Sequence, residues 1–349
     1  MILVLSLVLP GAYADPASCS VGLGAVSVMT IKGLPTDKAV QQFAFSREND
    51  TEYLYATQRI KTTPYLSRAQ ISTDGKTAQV LDYAVLSDFG HGESMEVGTH
   101  NGQTYVYLIN HANPLNNYAW GTTVSRLKYN AGEISDIRTI TGMEFATPDG
   151  SIIRENAASY RINFALDEEA DLIAFYIRTA DMGTTKNVAH VIAAYSLSGI
   201  NRLLDEADTV SLKDCTALLD ATTGPQAVTD ICFNSSFQGL EVTPQGQFLL
   251  TGGSVKVKPQ LSIFSREKDV ITRSDDILNV DSVTFANQNT ADWSTAADKC
   301  ETNTFMEIES IKYWQGEYYV SFKPLIQADC QNCTQIYRLS PNPMTISLP

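Results

Sequence analysis

Five polar residues recur at the head of similar apolar segments: Gln41, Glu93, Arg161, Gln238 and Glu309. Three of them continue with a small and then an apolar residue, as in Glu93-Ser94-Met95, Gln238-Gly239-Leu240 and Glu309-Ser310-Ile311. Gathered in one ring, such carboxylates and amides would recognise hydroxyl groups, because an amide both donates and accepts. Glu96 and Glu241 lie three residues beyond two of these positions and extend the candidate set. A carboxyl pair could also hydrolyse a glycosidic bond, one group acting as acid and the other as base or nucleophile. The competing role is structural, a hydrogen-bonded ring that satisfies buried polar groups where strands converge.

Other chemistry is weaker. His91, His100 and His111 cluster along the chain, but no HExxH-like spacing supplies a metal set, so neither metal nor cofactor is expected. His91 stands out because Gly90 and Gly92 flank it just before Glu93. Gly92-Glu93-Ser94-Met95-Glu96 lacks the closing glycine of a nucleophile elbow. Gly22-x-Gly24 lacks the third glycine of a dinucleotide fingerprint. Tyr118 and Trp120 in the segment 110–121, and Trp293 in 283–304, fall on expected loops, where flat rings can stack on sugar faces.

The elements that would position these groups repeat along the chain. Segments 41–57, 93–109, 161–177, 238–252 and 309–322 share one layout of apolar strand, polar turn and aromatic or aliphatic strand. Each is followed by a second hairpin-like stretch, at 68–81, 125–137, 193–204, 261–271 and 335–348, the third of which has helical character at Ile200–Leu204. Turn pairs such as Asn49-Asp50, Asn101-Gly102 and Gln315-Gly316 suit tight hairpins. Five pairs of hairpins predict an all-β chain, a five-bladed β-propeller formed by residues 15–349 as one domain. The unpaired stretch 25–32 is expected to add to the last blade and close the ring, which would protect its edges. Long connections are expected at 56–66, 110–123, 178–190, 252–260 and 323–333 within blades, and at 141–158, 211–236 and 283–304 between them, all on one face. Elaborated loops on one face of a rigid scaffold commonly carry binding.

Compartment and charge narrow the partner. Residues 1–11 are mostly apolar and Ala12-Tyr13-Ala14 fits a signal peptidase site, so residues 1–14 are read as a secretory leader and the protein as extracellular. No stretch approaches the roughly 20 apolar residues of a membrane span. A formal charge of −14 argues against nucleic acid and anionic membranes as partners. Six cysteines, Cys19, Cys215, Cys232, Cys300, Cys330 and Cys333, suit disulfides in a secreted chain. Cys215–Cys232 is expected as a local bridge, and zinc is the rival for Cys330-x-x-Cys333. Asn49, Asn234 and Asn332 head glycosylation sequons.

The segments GHGESMEV (90–97), FQGLEV (237–242), EIESI (307–311) and QIYRLS (335–340) resemble the helveticin J-type class III bacteriocin family. That resemblance implies a secreted antibacterial protein with a propeller-like fold, no cofactor and a cell-envelope ligand, with His91, Glu93, Gln238 and Glu309 as matching motif positions. The six cysteines and three sequons depart from the family pattern. The sequence therefore points to a glycan- or envelope-binding propeller without catalysis. Its ligand-contacting candidates are His91, Glu93, Glu96, Tyr118, Trp120, Arg161, Gln238, Glu241, Trp293 and Glu309. A glycoside hydrolase and an extracellular protein-binding scaffold are the alternatives.

Overall fold

The computed structural model describes residues 24–113, 118–184, 186–220, 226–227, 237–254, 257–264, 307–323 and 334–340. The architecture is all-β. After β1 (Gly24–Lys32), the described residues run through five antiparallel meanders distributed over four sheets. The first holds β2 (Gln42–Glu48), β3 (Thr51–Ile60), β4 (Thr63–Ile71) and β5 (Thr77–Val85). The second holds β6 (Met95–His100), β7 (Gln103–Ala112), β8 (Gly121–Asn130) and β9 (Glu133–Thr141). The third holds β10 (Ala157–Asp167), β11 (Leu172–Asp181) and β12 (Asn187–Ser196).

Beyond β12 the pattern changes. The stretch expected as hairpin-like with helical character at Ile200–Leu204 forms the helix α1 (Leu197–Glu206). The Ser196 hydroxyl caps it by accepting from the Gly199 N–H. Ile200 and Leu204 recur at helical spacing and are buried. The short β13 (Thr209–Ser211) then pairs parallel to β9, and β14 (Gln226–Ala227) pairs with β12 as the fourth strand of the third meander. The fourth meander shows β15 (Phe237–Val242), β16 (Phe248–Ser254) and β17 (Val257–Phe264). The fifth shows β18 (Glu307–Trp314), β19 (Glu317–Lys323) and β20 (Gln335–Ser340).

As expected, the N-terminal strand completes the last meander: β1 pairs antiparallel with β20, from Gly24 opposite Ser340 to Thr30 opposite Gln335. It also pairs in parallel with β5 at Thr30–Lys32, so the fifth and first meanders share one eight-stranded sheet. The turn chemistry follows the sequence. Asn49-Asp50 and Asn101-Gly102 both have φ between 46° and 72°, the left-handed geometry that two-residue hairpin turns require.

Strand alternation sends apolar residues to both faces of each meander, and hydrophobic cores form between consecutive meanders. Phe43, Leu54, Met29 and Ile336 join the fifth and first. Tyr55, Leu66, Met95 and Leu108 join the first and second. Tyr107, Ile109, Phe164 and Phe175 join the second and third, with Ile200 and Leu204 of α1 packed in. Tyr176 and Ile192 meet Leu240 and Phe248 between the third and fourth, and Leu249 meets Ile311 and Val320 between the fourth and fifth. Full burial of each such side chain contributes about 1.5–3 kcal/mol.

Strand lengths correct three of the expected long connections. β3 and β4 are separated only by residues 61–62, β11 and β12 by 182–186, and β16 and β17 by 255–256. In β3 the polar residues read as loop continue the strand, because their side chains are used. Thr57 and Gln58, for example, are fully buried, and Gln58 Nε2 donates to the Thr36 carbonyl at 3.1 Å. Between β7 and β8 the Asn113 N–H donates to the Trp120 carbonyl at 2.8 Å, and residues 114–117 lie outside the described residues. The segments 265–306 and 324–333 lie outside the described residues.

The expected Cys215–Cys232 bridge is also corrected. Cys215 is a buried free thiol that donates to the Ser211 carbonyl at 3.2 Å, and burial pushes it up to about 11. Cys19, Cys232, Cys300, Cys330 and Cys333 lie outside the described residues, as do the sequons at Asn234 and Asn332. Asn49 sits exposed on the β2–β3 turn. Among the described residues no helix is long and apolar enough to cross a membrane.

Candidate functional site

The first strands of the meanders meet one another through polar contacts. Gln42 Nε2 donates to the carbonyls of Glu93 at 2.8 Å and Glu309 at 2.9 Å, with the Gln238 carbonyl at 3.3 Å. Ser94 Oγ donates to the Phe164 carbonyl and accepts from the Phe164 N–H. Asn163 Nδ2 donates to the Gln238 carbonyl. These buried bonds gather Gln41, Glu93, Arg161, Gln238 and Glu309, each at most 7% exposed, into one layer.

Local backbone features aim those side chains. The β10–β11 register slips between Ser159 and Arg161, β15–β16 between Phe237 and Leu240, and β18–β19 between Ile308 and Ser310. Such bulges re-aim a side chain at the cost of a ladder bond. All three fall at the layer residues. In the second meander glycines do the work instead. Gly90 has φ 69° and Gly92 φ 74°, and a Cβ on Gly90 would lie 2.5 Å from the Ala119 carbonyl oxygen. Side-chain-free backbone therefore lets the Tyr118 and Ala119 backbone pack beside His91.

The layer is chained by hydrogen bonds. Arg59 can only donate, and its Nη1 lies 2.9 Å from His91 Nδ1. His91 Nδ1 also lies 2.8 Å from the Tyr118 carbonyl oxygen, and its Nε2 lies 3.1 Å from Gln41 Oε1. Gln41 Nε2 in turn reaches Glu309 Oε1 at 3.4 Å. On the other side Arg161 Nη2 donates to Gln238 Oε1 at 3.2 Å, and Gln238 Nε2 donates to Glu307 Oε1 at 2.7 Å. Lys323 Nζ pairs with Glu307 Oε2 at 2.8 Å. Glu93 Oε1 stands 3.7 Å from Arg161 Nε, and neither Glu93 carboxyl oxygen has a hydrogen bond of standard geometry.

Burial dominates the protonation of this layer. It lifts the Glu93 carboxyl to about 7, with Arg161 opposing, and lifts Glu309 to about 8 with help from the negative Glu307. Both carboxyls therefore exchange protons near neutrality. His91 is held neutral, well below its usual range, by burial and by Arg59 and Arg161. Arg161 is lowered only to about 10 and stays a cation.

An aromatic stack leads into the layer from solvent. Tyr118, 57% exposed, stacks on Trp120 with centroids 5.0 Å apart and planes 12° apart. The Arg161 guanidinium lies 4.5 Å from the Trp120 centroid and 4.1 Å from that of Phe237. Four planar groups thus run from the rim to the carboxyl of Glu93. The site offers flat apolar faces, two amides, an imidazole and carboxyls able to donate or accept. Those groups match the stacking and hydrogen-bonding needs of a polyhydroxylated ligand.

Glu96 and Glu241 do not join this layer. They form a second one, three residues further along β6 and β15, where the Lys312 ammonium ion-pairs with Glu96. Glu241 accepts from the Val242 and Tyr313 N–H groups at 2.8 and 2.9 Å. Burial raises Glu96 to about 8 and Glu241 to about 7. Trp293 lies outside the described residues. Arg59, Gln42, Glu307 and Lys323 belong to the site and escaped the sequence reading. Glu307 had a usable signal, since Glu307-Ile308-Glu309 places a second carboxyl two residues before the layer position. His100 pairs with Asp205 at 2.8 Å, away from the layer, and among the described residues no cluster of His, Cys, Asp and Glu could hold a metal.

No family model matches the chain, and no curated protein matches its sequence. Among solved structures, the tail fiber of Staphylococcus aureus phage P68 aligns at 14% identity and TM-score 0.47, over 91% of this chain and 52% of the fiber. The chain thus spans about half the length of that protein. The mannose phosphorylase MPT-4 from Leishmania mexicana aligns at 11% identity and TM-score 0.43, over 90% and 86%. An exo-beta-1,3-galactanase from Phanerochaete chrysosporium aligns at 11% identity and TM-score 0.45, over 90% and 64%. At these scores the likeness assigns neither residues nor activity to this chain.

Proposed function

We propose that the chain is a five-bladed β-propeller, closed by β1, that binds a carbohydrate at the mouth of its central axis. The observation that carries this reading is the stack Tyr118–Trp120–Arg161, which runs from an exposed ring to the buried carboxyl of Glu93. A sugar ring would lie on the exposed aromatic face, and its hydroxyls would exchange hydrogen bonds with the carboxyl and amide groups behind it. The apolar leader at 1–14 supports secretion, and the likeness to helveticin J-type proteins supports a cell-envelope glycan as the ligand. A glycan array followed by calorimetry tests the reading. Wild type binds at least one saccharide, and Trp120→Ala weakens it at least tenfold, about 1.4 kcal/mol. Binding to no saccharide, or binding indifferent to Trp120, overturns it.

A second reading is glycoside hydrolysis, favoured by one specific feature. Glu93 and Glu309 are available as acids near neutral pH, while Glu307 is ion-paired with Lys323 in the same site. An acid and a carboxylate are the two groups that hydrolysis needs. Reducing-sugar release that is lost in Glu309→Gln supports it, and binding without any turnover excludes it.

A further inference from the structure

One strand out from Arg161, a row of basic side chains crosses the third meander. Arg161 stands directly opposite Arg178 in the β10–β11 ladder, and Arg178 directly opposite His190 in the β11–β12 ladder. Directly opposite residues share a face, and like charges placed so destabilise a sheet. Burial weakens the Arg178 cation further. Among the described residues no opposite charge offsets this. The Arg178 guanidinium has no ion pair and no hydrogen bond among the described residues, its Nε is buried unsatisfied, and its charge lies 5.6 Å from the Tyr160 ring centroid. Arg161, by contrast, is tied to Gln238 and Glu93.

The neighbours keep this position cationic and shaped. His190 Nδ1 is 2.5 Å from the Tyr176 hydroxyl, and burial beside Arg178 holds the imidazole neutral, pushed down to about 4. The ring therefore offers a hydrogen bond without adding charge. Tyr160 is the bulge residue that also packs edge-on against Trp120, so Arg178 and the aromatic stack share one wall. A partly buried cation left unpaired beside a second cation is a group waiting for an anion.

We propose that Arg178, flanked by Arg161 and His190, is an anion subsite that receives a carboxylate or phosphate substituent of the saccharide. This rests on the carbohydrate reading and adds the ligand's charge. It also reconciles a strongly acidic chain with an anionic ligand, since the relevant field is that of the local row. The full chain is titrated by calorimetry with three pairs of probes: trigalacturonate against galactotriose, a mannose-6-phosphate-ended oligosaccharide against its dephosphorylated form, and inorganic phosphate against acetate. At least one charged saccharide is expected to bind tenfold or more tightly than its neutral counterpart, and the winning pair identifies carboxylate or phosphate. Arg178→Gln is expected to remove that advantage, and Arg178→Lys to restore part of it. In wild type, raising NaCl from about 50 to about 500 mM should erode the charged advantage alone. Equal binding of charged and neutral forms, both dependent on Trp120, overturns the subsite and leaves the carbohydrate reading standing. A charge advantage that survives Arg178→Gln likewise overturns it. Failure of every saccharide overturns both.

Discussion

Replacing Glu93 by Gln should stabilise the protein at alkaline pH and leave it unchanged in acid. The Glu93 carboxyl is 2% exposed, lacks a hydrogen bond of standard geometry and has Arg161 only at 3.7 Å. Burial raises it from 4.5 to about 7. The sign follows from linkage: below 4.5 the folded and unfolded chains both hold the proton, so Glu93 contributes no pH dependence. Between 4.5 and about 7 the unfolded chain releases its proton first, and folding stability falls. Above about 7 both states are ionised and the full penalty is present. At about 1.4 kcal/mol per pH unit the loss amounts to about 3 kcal/mol. Glutamine has the shape of the protonated acid and cannot ionise. Urea unfolding of both proteins at pH 4 and pH 8.5 therefore predicts near-equal stability at pH 4 and an advantage of about 3 kcal/mol for Glu93→Gln at pH 8.5. Other buried carboxyls titrate in both proteins and cancel in the difference. Parallel pH profiles for the two proteins would refute the reasoning, because they would mean that the Glu93 environment does not hold its proton.

Three further outcomes follow from the same structure. Lys312→Met leaves Glu96 and Glu241 buried without their shared cation and should cost about 3–5 kcal/mol at pH 8, with part recovered at pH 5, as read by thermal unfolding across pH. Gly90→Ala forces a side chain into a left-handed backbone with its Cβ 2.5 Å from the Ala119 carbonyl, and should cost about 2 kcal/mol or more in urea unfolding. Cys215 should resist iodoacetamide in the native protein and label fully in urea without reductant; labelling that requires reductant would restore the disulfide to Cys232.

The parts of the fold legible in the sequence are those fixed by local rules. Asn49-Asp50 and Asn101-Gly102 specify tight turns, and strand alternation around them specifies the meanders. The repeated strand–turn–strand layout then singles out Gln41, Glu93, Arg161, Gln238 and Glu309 at the heads of its units, and the structure brings them into one layer. Arg59 and Lys323 were hidden because they end second strands, where polar residues read as loop until their buried partners are known. Gln42 was hidden by its neighbour: sequence cannot show that it, rather than Gln41, spans to three carbonyls of other strands. Glu96 and Glu241 were placed near the mouth by proximity in sequence, but three residues of strand advance roughly 10 Å and put them in a layer of their own. The helix α1 shows tertiary context at work, since its buried Asn201 accepts from Tyr107 and Arg126 of the second meander.

The central claim is that a saccharide occupies the mouth of the axis. A crystal structure of the full chain soaked with the best-binding glycan tests it most directly. A sugar ring stacked on the Trp120–Tyr118 wall is expected, with a hydroxyl within hydrogen-bond distance of the Glu93 carboxyl. A glycan bound on an outer strand or on the opposite face, with the mouth empty, would contradict it.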